Sequence, residues 1–279
     1  MERLVILVVL YEVLPEASPT LRSLSACRKW LLTHSHHIIV RDNSPKALTI
    51  TQQACLRAMF DSCTLTYQHD GQNLPLSKVY NHVIANEVAR QDFLLLLDDD
   101  TTFDERLITT FALAQQAYPE TNLFLPIIRS GSAIVSPSHQ RLFKGSYWTT
   151  EQCGLIAAKG VTAINSGMFI AGRYLRGRFA GYDERLAFYA TDNYFMWRYS
   201  QHHETLYVLD YTLHHVLNFY AADESINSKV RRLRAMREGA LILERQRNPW
   251  LLPLVYAYWD IFSIKCAIKQ RSTQFLFVR

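Results

Sequence analysis

The sequence predicts an α/β fold with a mostly parallel central sheet and helices on both faces. Apolar runs of strand length alternate with segments of helical spacing, the 279-residue chain is 49% hydrophobic, and aspartates follow several of the apolar runs. Such alternation implies parallel strands joined by right-handed crossovers. Ligands of these sheets bind beyond the carboxyl ends of the strands.

Four strands and three helices are predicted in the first hundred residues. The strands are predicted from apolar runs and cover 4–11, 37–44, 63–70 and 92–100. The helices repeat apolar residues every three or four positions and cover 19–34, 49–61 and 76–90. The acidic segment 101–116 favours a further helix. Gly, Ser and Pro in 131–145 predict a mobile loop near the ligand site.

The composition indicates a cytoplasmic protein. Five cysteines form no CxxC pair, which is the usage of a reduced, cytosolic chain. The apolar start of the chain has no small-residue cleavage site, so we predict a buried first strand rather than a signal peptide. Residues 225–279 carry 11 Lys or Arg against 3 Asp or Glu, whereas residues 1–224 carry 19 against 22. The basic surplus therefore belongs to the C-terminal segment.

Three consecutive aspartates, Asp98, Asp99 and Asp100, follow the fourth predicted strand. Adjacent carboxylates repel one another, which raises the free energy of their ionised forms. A hard divalent cation held by carboxylate oxygens offsets this repulsion, and Mg²⁺ keeps positions for substrate phosphates. The alternative is an acidic start of the next helix. Asp42 and Asp70 also fall at predicted carboxyl ends of strands, which favours a ligand site.

The order of the motifs resembles that of family 2 glycosyltransferases, which have the GT-A fold, and is closest to bacterial rhamnosyltransferase-type members. The motifs are VVLY with Pro15, IIVRDNSP, asparagines eight apart at Asn73 and Asn81, LLLLDDDTTF, and the segment 164–199. The resemblance covers about residues 1–220. It implies a catalytic domain at 1–222, with a nucleotide-sugar-binding half at 1–103 and an acceptor half at 104–222. A basic helical extension follows at 223–279.

The resemblance also implies roles for individual residues. The donor-binding residues would be Asp42, Asn73, Asn81, Asp98 and Asp99; the metal-binding residues would be Asp100 and His215, with His214 as the alternative histidine; the catalytic base would be Asp192. The expected cofactor is Mg²⁺ or Mn²⁺ and the expected donor a dTDP- or UDP-sugar. The acceptor would be a glycan or lipid-linked glycan of bacterial surface polysaccharide. Pro75, Thr191 and Asn218 depart from the family pattern.

The chemistry of sugar transfer needs residues of these types. An acceptor hydroxyl is a weak nucleophile, so a carboxylate such as Asp192 must take its proton. One base opposite the leaving group implies a single displacement with inversion, although an aspartate before a helix is also a common N-cap. Three further acceptor candidates are Gly167, Trp197 and Arg198. For Gly167 a simple tight turn is the alternative, and for Trp197 a place in the core.

Two other function classes fit parts of the pattern. LLLLDDDTT matches the hhhhDxDxT motif of haloacid-dehalogenase-type phosphatases, in which Asp98 would be the nucleophile and Asp100 the acid/base. That family has its motif on the first strand and needs a later lysine and acidic pair, whereas three strands precede the motif here. The third reading is a non-catalytic module that binds a sugar or nucleotide.

The C-terminal segment predicts contact with an anionic membrane at the inner face of the cell membrane. Basic residues next to Trp and Tyr suit a bilayer interface, with Arg231, Arg232, Arg234 and Arg237 as the residues facing lipid. Pro253 and Asp260 argue against a spanning helix. The alternative is a solvated basic helix packed on the catalytic domain. Nucleic acid is not an expected partner.

Overall fold

The computed structural model describes residues 2–32, 36–214 and 225–278. The predicted alternation of strands and helices is confirmed in the first part of the chain. Strands β1 to β4 are Leu4–Leu10, His37–Asp42, Thr64–His69 and Phe93–Asp98. Helices α1 to α5 are Pro19–Ala26, Arg28–Leu32, Ile50–Met59, Leu76–Asn86 and Arg106–Ala117. The first predicted helix is thus two helices that meet at Cys27.

The second part of the chain is richer in strands than the sequence indicated. Strands β5 to β11 are Leu123–Ser130, Ala133–Arg141, Lys144–Trp148, Gly154–Ala157, Val161–Thr162, Phe169–Ala171 and Thr205–His214. Helices α6 to α9 are Gly172–Leu175, Thr191–Ser200, Ile226–Arg247 and Leu252–Gln270. The predicted loop at 131–145 is wrong, because β6 and β7 form a hairpin there. Residues 134–138 are buried and pair with neighbouring strands, which outweighs the local turn signals.

The sheet is mixed, with a parallel half that contains the predicted strands. Its order is β3-β2-β1-β4-β10-β5-β11-β8, and β6 pairs with β5, β7 and β9. Strands β3, β2, β1 and β4 are parallel, whereas β10 runs antiparallel between β4 and β5. Successive side chains of a strand point to opposite faces. Accordingly Val5 and Leu7 belong to one core cluster, and Leu4 and Ile6 to the other.

The C-terminal helices α8 and α9 have a small core of their own and also join the main one. Their core contains the buried residues Leu233, Leu251, Val255, Trp259, Phe275 and Val278. Ile242 and Leu243 of α8 instead pack in one of the two main clusters. Arg237 is only 8% exposed and pairs with Asp260 at 3.0 Å. Its prediction as a residue facing lipid is therefore wrong, because its guanidinium is buried, where it pairs with Asp260 and donates to the Val278 carbonyl.

Candidate active site

The three aspartates line an open cleft at the carboxyl ends of β1, β2 and β4. The cleft has a volume of about 650 Å³. Besides Asp98, Asp99 and Asp100, its lining includes Tyr11, Val13, Asn43, Asn73, Leu74 and Phe188. Tyr11 is 45% exposed and Phe188 60% exposed, so aromatic side chains stand at its mouth. We call this space the aspartate cleft.

Hydroxyl groups hold the turn that carries the aspartates. The Thr20 hydroxyl donates to the Asp98 carbonyl, and the Ser18 hydroxyl donates to the Asp99 carbonyl at 2.7 Å. Ser18 is also the N-cap of α1, where its oxygen accepts from the Leu21 amide at 3.2 Å. The start of α1 is thereby tied to the end of β4. The backbone N–H of Tyr11 donates to Asp99 Oδ2 at 3.3 Å.

The aspartate cleft is electrostatically unbalanced. Burial is the largest cause that raises the pKa of Asp98, to about 7. The charges of Asp100, Asp99 and Asp192 raise it further. Among the described residues that line the cleft there is no Lys, Arg or His. A bound cation is the ordinary means of keeping such carboxylates ionised.

Asn73 reaches the aspartate cleft because a polar network holds the loop after β3. The Asn43 amide donates to the Leu74 carbonyl at 2.9 Å and to Asn73 Oδ1 at 3.3 Å. Asn43 in turn accepts from Arg41 Nε at 3.0 Å, and Arg41 contacts Asp70 at 2.6 Å. This hydrogen bond lowers the pKa of Asp70. The aspartate at the end of β3 therefore supports the site rather than lining it.

Asp42 lies behind the cleft, not in it. Asp42 is only 1% exposed. Its carboxylate accepts hydrogen bonds from the Tyr67 hydroxyl at 2.6 Å and from the Ser44 amide at 3.0 Å. The next residue, Asn43, lines the cleft instead. The predicted contact of Asp42 with the donor has no support in this geometry, which gives Asp42 a structural role.

Asn81 is likewise engaged away from the cleft. Its amide nitrogen donates to the Tyr182 carbonyl at 2.9 Å, and its oxygen accepts from the Tyr182 amide at 2.7 Å. It lines a different pocket, together with Arg41, Asp70 and Lys78. Asn81 therefore holds the turn at 181–184, and a role in donor binding could only be indirect.

Asp192 lines a second cleft, of about 580 Å³, which we call the Asp192 cleft. Asp192 lies in the first turn of α7, whose N-cap residue is Ala190. The carboxylate accepts from the Asn193 backbone amide at 2.7 Å, and Thr162 donates to Asn193 Oδ1 at 2.9 Å. Burial raises the pKa of Asp192, and the hydrogen bonds from Asn193 oppose that shift. A carboxylate with a raised pKa is a better proton acceptor.

The C-terminal helices form one wall of the Asp192 cleft. Met236, Ala240, Leu243, Glu244, Tyr258 and Trp259 line it from α8 and α9. The β6–β7 hairpin also lines the cleft and contacts α9, where the Phe143 ring lies 5.5 Å from the Tyr258 ring. Gly239 lets α8 approach closely, since a Cβ there would lie 2.7 Å from the Tyr189 carbonyl oxygen. The segment before Asp192 is therefore packed directly against α8.

The buried Tyr80 lies near both Asp98 and Asp192, although it lines neither cleft. It is 2% exposed, and burial raises its pKa well above the ordinary value. The charges of Asp98 and Asp192 also raise this pKa, because both carboxylates disfavour a negative charge on the phenol oxygen. The Asn165 side chain donates to the Thr191 hydroxyl at 3.0 Å, next to Asp192.

The segment Asn165–Gly167 joins both sites, and sequence reasoning missed two of its three residues. The Asp98 amide donates to the Ser166 hydroxyl at 3.2 Å, while Asn165 holds the residue before Asp192. Gly167 has a φ of +87°, and a Cβ there would lie 2.6 Å from the Pro126 side chain. Close packing therefore requires a glycine here, and the predicted acceptor contact of Gly167 stays a prediction. The signal in the sequence was the polar pair Asn165 and Ser166 directly before this glycine.

Trp197 and Arg198 lie farther along α7 and line neither cleft. Trp197 is partly buried against the main core. The Arg198 guanidinium carbon lies 5.6 Å from the centre of the Trp197 ring. The alternative of a core position thus applies to Trp197, and acceptor contact by either residue is not supported by this arrangement.

The candidate histidines leave the metal ligands incomplete. His214 ends β11, and its backbone forms a bridge with Thr102, beside the three aspartates. His215 lies outside the described residues. Within the described ranges, no group of three or more His, Cys, Asp or Glu side chains could hold a metal ion. Hard carboxylate oxygens of Asp98 and Asp100 still fit Mg²⁺ or Mn²⁺, provided that a bound phosphate supplies further ligands.

The structure resembles three solved glycosyltransferases. TarS of S. aureus in complex with UDP matches with a TM-score of 0.59 and 12% identity, over 97% of this chain and 92% of that one. GalNAc-T7 with UDP, GalNAc and Mn²⁺ matches with a TM-score of 0.55 and 10% identity, over 77% of this chain and 44% of that one. The mannosyltransferase PcManGT from Pyrobaculum calidifontis with GDP-Man and Mn²⁺ matches with a TM-score of 0.53 and 12% identity, over 92% and 69%.

The chain has the GT-A fold. This confirms the predicted mixed α/β architecture of a mostly parallel sheet with helices on both faces. No family model matches the sequence, and the search of curated proteins finds no match. At 10–14% identity the likeness establishes the fold, whereas the assignment to family 2 and to rhamnosyltransferases stays a prediction.

Proposed function

We propose that the protein is a glycosyltransferase that takes a sugar from a nucleotide-diphosphate donor. The observation that carries the proposal is a pair of carboxylate clefts, one with the aspartates at strand ends and one with Asp192, whose charge is near enough to raise the pKa of Asp98. Sugar transfer needs this division, because the leaving diphosphate and the attacking hydroxyl lie on opposite sides of the anomeric carbon. The similar structures bind UDP and GDP-Man, which supports the donor class.

The aspartate cleft would hold the donor. A divalent cation, Mg²⁺ or Mn²⁺, would be held by Asp98 and Asp100 and would supply positive charge to the leaving diphosphate. The unbalanced carboxylates fit such an ion, since burial and then the charges of Asp100, Asp99 and Asp192 raise the pKa of Asp98. Tyr11 and Phe188 at the mouth would contact the nucleoside, and the amide nitrogen of Asn73, which Asn43 holds in place, would donate a hydrogen bond to it.

Asp192 would act as the base. Its carboxylate would accept the proton of the acceptor hydroxyl as that oxygen bonds to the anomeric carbon and the nucleoside diphosphate leaves. With one base and no covalent sugar–enzyme intermediate, the anomeric configuration inverts. The hydrogen bond from the Asn193 amide and the packing of α8 fix the orientation of this group.

The finer assignments rest on the motif resemblance. We propose a dTDP- or UDP-activated hexose, rhamnose-like, and a glycan or lipid-linked glycan acceptor in bacterial surface polysaccharide synthesis. We also propose that the enzyme works in the cytoplasm at the inner face of the cell membrane. The phosphatase alternative has less support, because it requires a lysine near Asp98 and none lines the described aspartate cleft.

Calorimetry with UDP and dTDP, each with and without Mg²⁺ or Mn²⁺, tests the donor site. We expect Asp100→Ala to abolish metal-dependent binding because it removes a carboxylate ligand of the cation. Asp61→Ala is the matched control, since it removes an exposed aspartate after α3. Equal metal-dependent affinity in wild type and Asp100→Ala would refute the metal assignment. Phosphate labelling of Asp98 would instead identify a phosphatase.

A further inference from the structure

Helix α9 presents an apolar stripe to the outside of the protein. Among the described residues, Pro249–Gln270 is the helical segment long and apolar enough to cross a membrane, with a hydropathy of 1.4 and only 22% of that window buried. Exposed apolar side chains recur at intervals of three or four residues, which places them on one face. We call them the outer stripe: Trp250, Leu254, Ala257, Ile261, Ile264 and Ile268. Ile268 is 73% exposed and Trp250 72%.

The opposite face of α9 binds the rest of the protein along its length. Val255, Trp259 and Ser263 are buried there, in or beside the small C-terminal core. Arg237 of α8 pairs with Asp260 at 3.0 Å and donates to the Val278 carbonyl. A helix that crossed a bilayer would carry this ion pair and the charged helix α8 toward hydrocarbon, which is unfavourable. The contacts therefore suit a helix that lies on a membrane surface.

Basic residues border the outer stripe at one end. Lys265 and Lys269 are exposed on the last turns of α9, and Arg271 follows the helix. The Lys229 ammonium lies 3.5 Å from Gln270 Oε1, so the start of α8 lies beside the end of α9. Arg231 and Arg234, both exposed, are near that start. This end of the helix pair is therefore strongly positive.

We propose that the outer stripe inserts, parallel to the membrane plane, into the headgroup region of an anionic bilayer. An apolar face with Trp, bordered by Lys and Arg, is typical of interfacial helices. A second copy of the protein fits this surface less well, because its α9 would have to offer acidic residues to the basic end of the stripe. Asp260 is the one acidic residue of α9, and it is already paired with Arg237. The inner face of α9 supplies Tyr258 and Trp259 to the Asp192 cleft. Binding would thus place that cleft beside the lipid surface.

Sedimentation of the full-length protein with vesicles tests this surface. The probes are phosphatidylcholine vesicles with and without phosphatidylglycerol. We expect binding to the anionic vesicles, weakened by salt, and a loss of at least about tenfold in the double variant Ile261→Asp, Ile264→Asp. The matched control is Ile50→Asp, Leu113→Asp, which changes two apolar side chains that are 88% and 69% exposed elsewhere. The control should bind like wild type.

Three results would overturn the proposal. The first is wild-type protein that stays in solution with anionic vesicles at low salt. The second is a stripe variant that binds these vesicles like wild type. The third is a wild-type dimer in light scattering that becomes monomeric in the stripe variant. Equal thermal unfolding of the stripe variant and its control excludes loss of folding as the cause. The inference deepens the location given under the proposed function. The vesicle assay does not measure sugar transfer. Nucleotide calorimetry on the same samples therefore distinguishes failure of the membrane proposal from failure of the proposed function.

Discussion

At the scale of single residues, the Asp98 carboxyl lowers the folding stability of the protein in order to form the proposed cation-binding site. Its pKa in the folded protein is about 7, above the ordinary carboxyl value of 3.8. Between these two pH values the unfolded chain is ionised while the folded chain keeps its proton. Folding stability therefore falls as the pH rises from the lower value to the higher one, and it stays low above about pH 7. A carboxylate site built for a cation therefore lowers the folding stability as long as no cation is bound.

Asp98→Asn should stabilise the metal-free protein. We expect a gain of about 1–3 kcal/mol in the free energy of unfolding near pH 8, because the variant has no buried charge to ionise. The gain should shrink as the pH is lowered toward 4, where the folded wild type is protonated. Thermal unfolding across this pH range measures it. A gain that does not depend on pH would contradict the electrostatic explanation.

Asp192→Asn should separate chemistry from donor binding. The amide keeps the size of the side chain but cannot accept a proton, so we expect turnover to fall by about 10² or more. Affinity for the nucleoside diphosphate should stay close to that of wild type, because Asp192 does not line the aspartate cleft. Steady-state transfer assays and calorimetry measure the two quantities. Near-normal transfer would mean that another group is the base.

At the scale of elements, the packing of α8 against the residues before Asp192 determines where that carboxylate points. We expect Gly239→Val to lower turnover at least about tenfold, because the added side chain meets the Tyr189 carbonyl and must displace it. Nucleotide affinity should not change. Glu238→Ala is the matched control, since Glu238 is the exposed neighbour on the same helix. Equal losses in both variants would point to general damage to α8.

At the scale of the whole molecule, the two clefts should respond separately to substitution. Phe188 lines only the aspartate cleft, and Tyr258 lines only the Asp192 cleft. We expect Phe188→Ala to weaken nucleotide binding several-fold through loss of an aromatic contact. We expect Tyr258→Ala to leave nucleotide binding unchanged and to raise the KM for the acceptor. Calorimetry and transfer kinetics on both variants check this, and an exchange of the two effects would contradict the division.

Much of the fold follows from local sequence patterns. The apolar runs and helical repeats predict β1 to β4 and the helices between them, because the periodicity of a buried element is a property of neighbouring residues. The same reasoning puts Asp98–Asp100 at the end of a strand, where parallel sheets bind ligands. Asp192 at the start of a helix is also readable locally, although its role came from resemblance. The hairpin at 133–148 was not readable, since its strands are stabilised by pairing with β5 and β9.

Only the tertiary structure decided which polar residues reach the clefts. Asp42 and Asn43 are adjacent in sequence, yet the Tyr67 hydroxyl engages the first and leaves the second to line the cleft. Asn81 contacts the backbone of Tyr182, a hundred residues away along the chain. Arg237, one of several similar arginines by sequence, is buried and pairs with Asp260. Composition and periodicity describe a residue and its chain neighbours. The partner of a polar group depends on chain segments brought together by folding, and that partner decides whether the group supports the fold or faces a ligand.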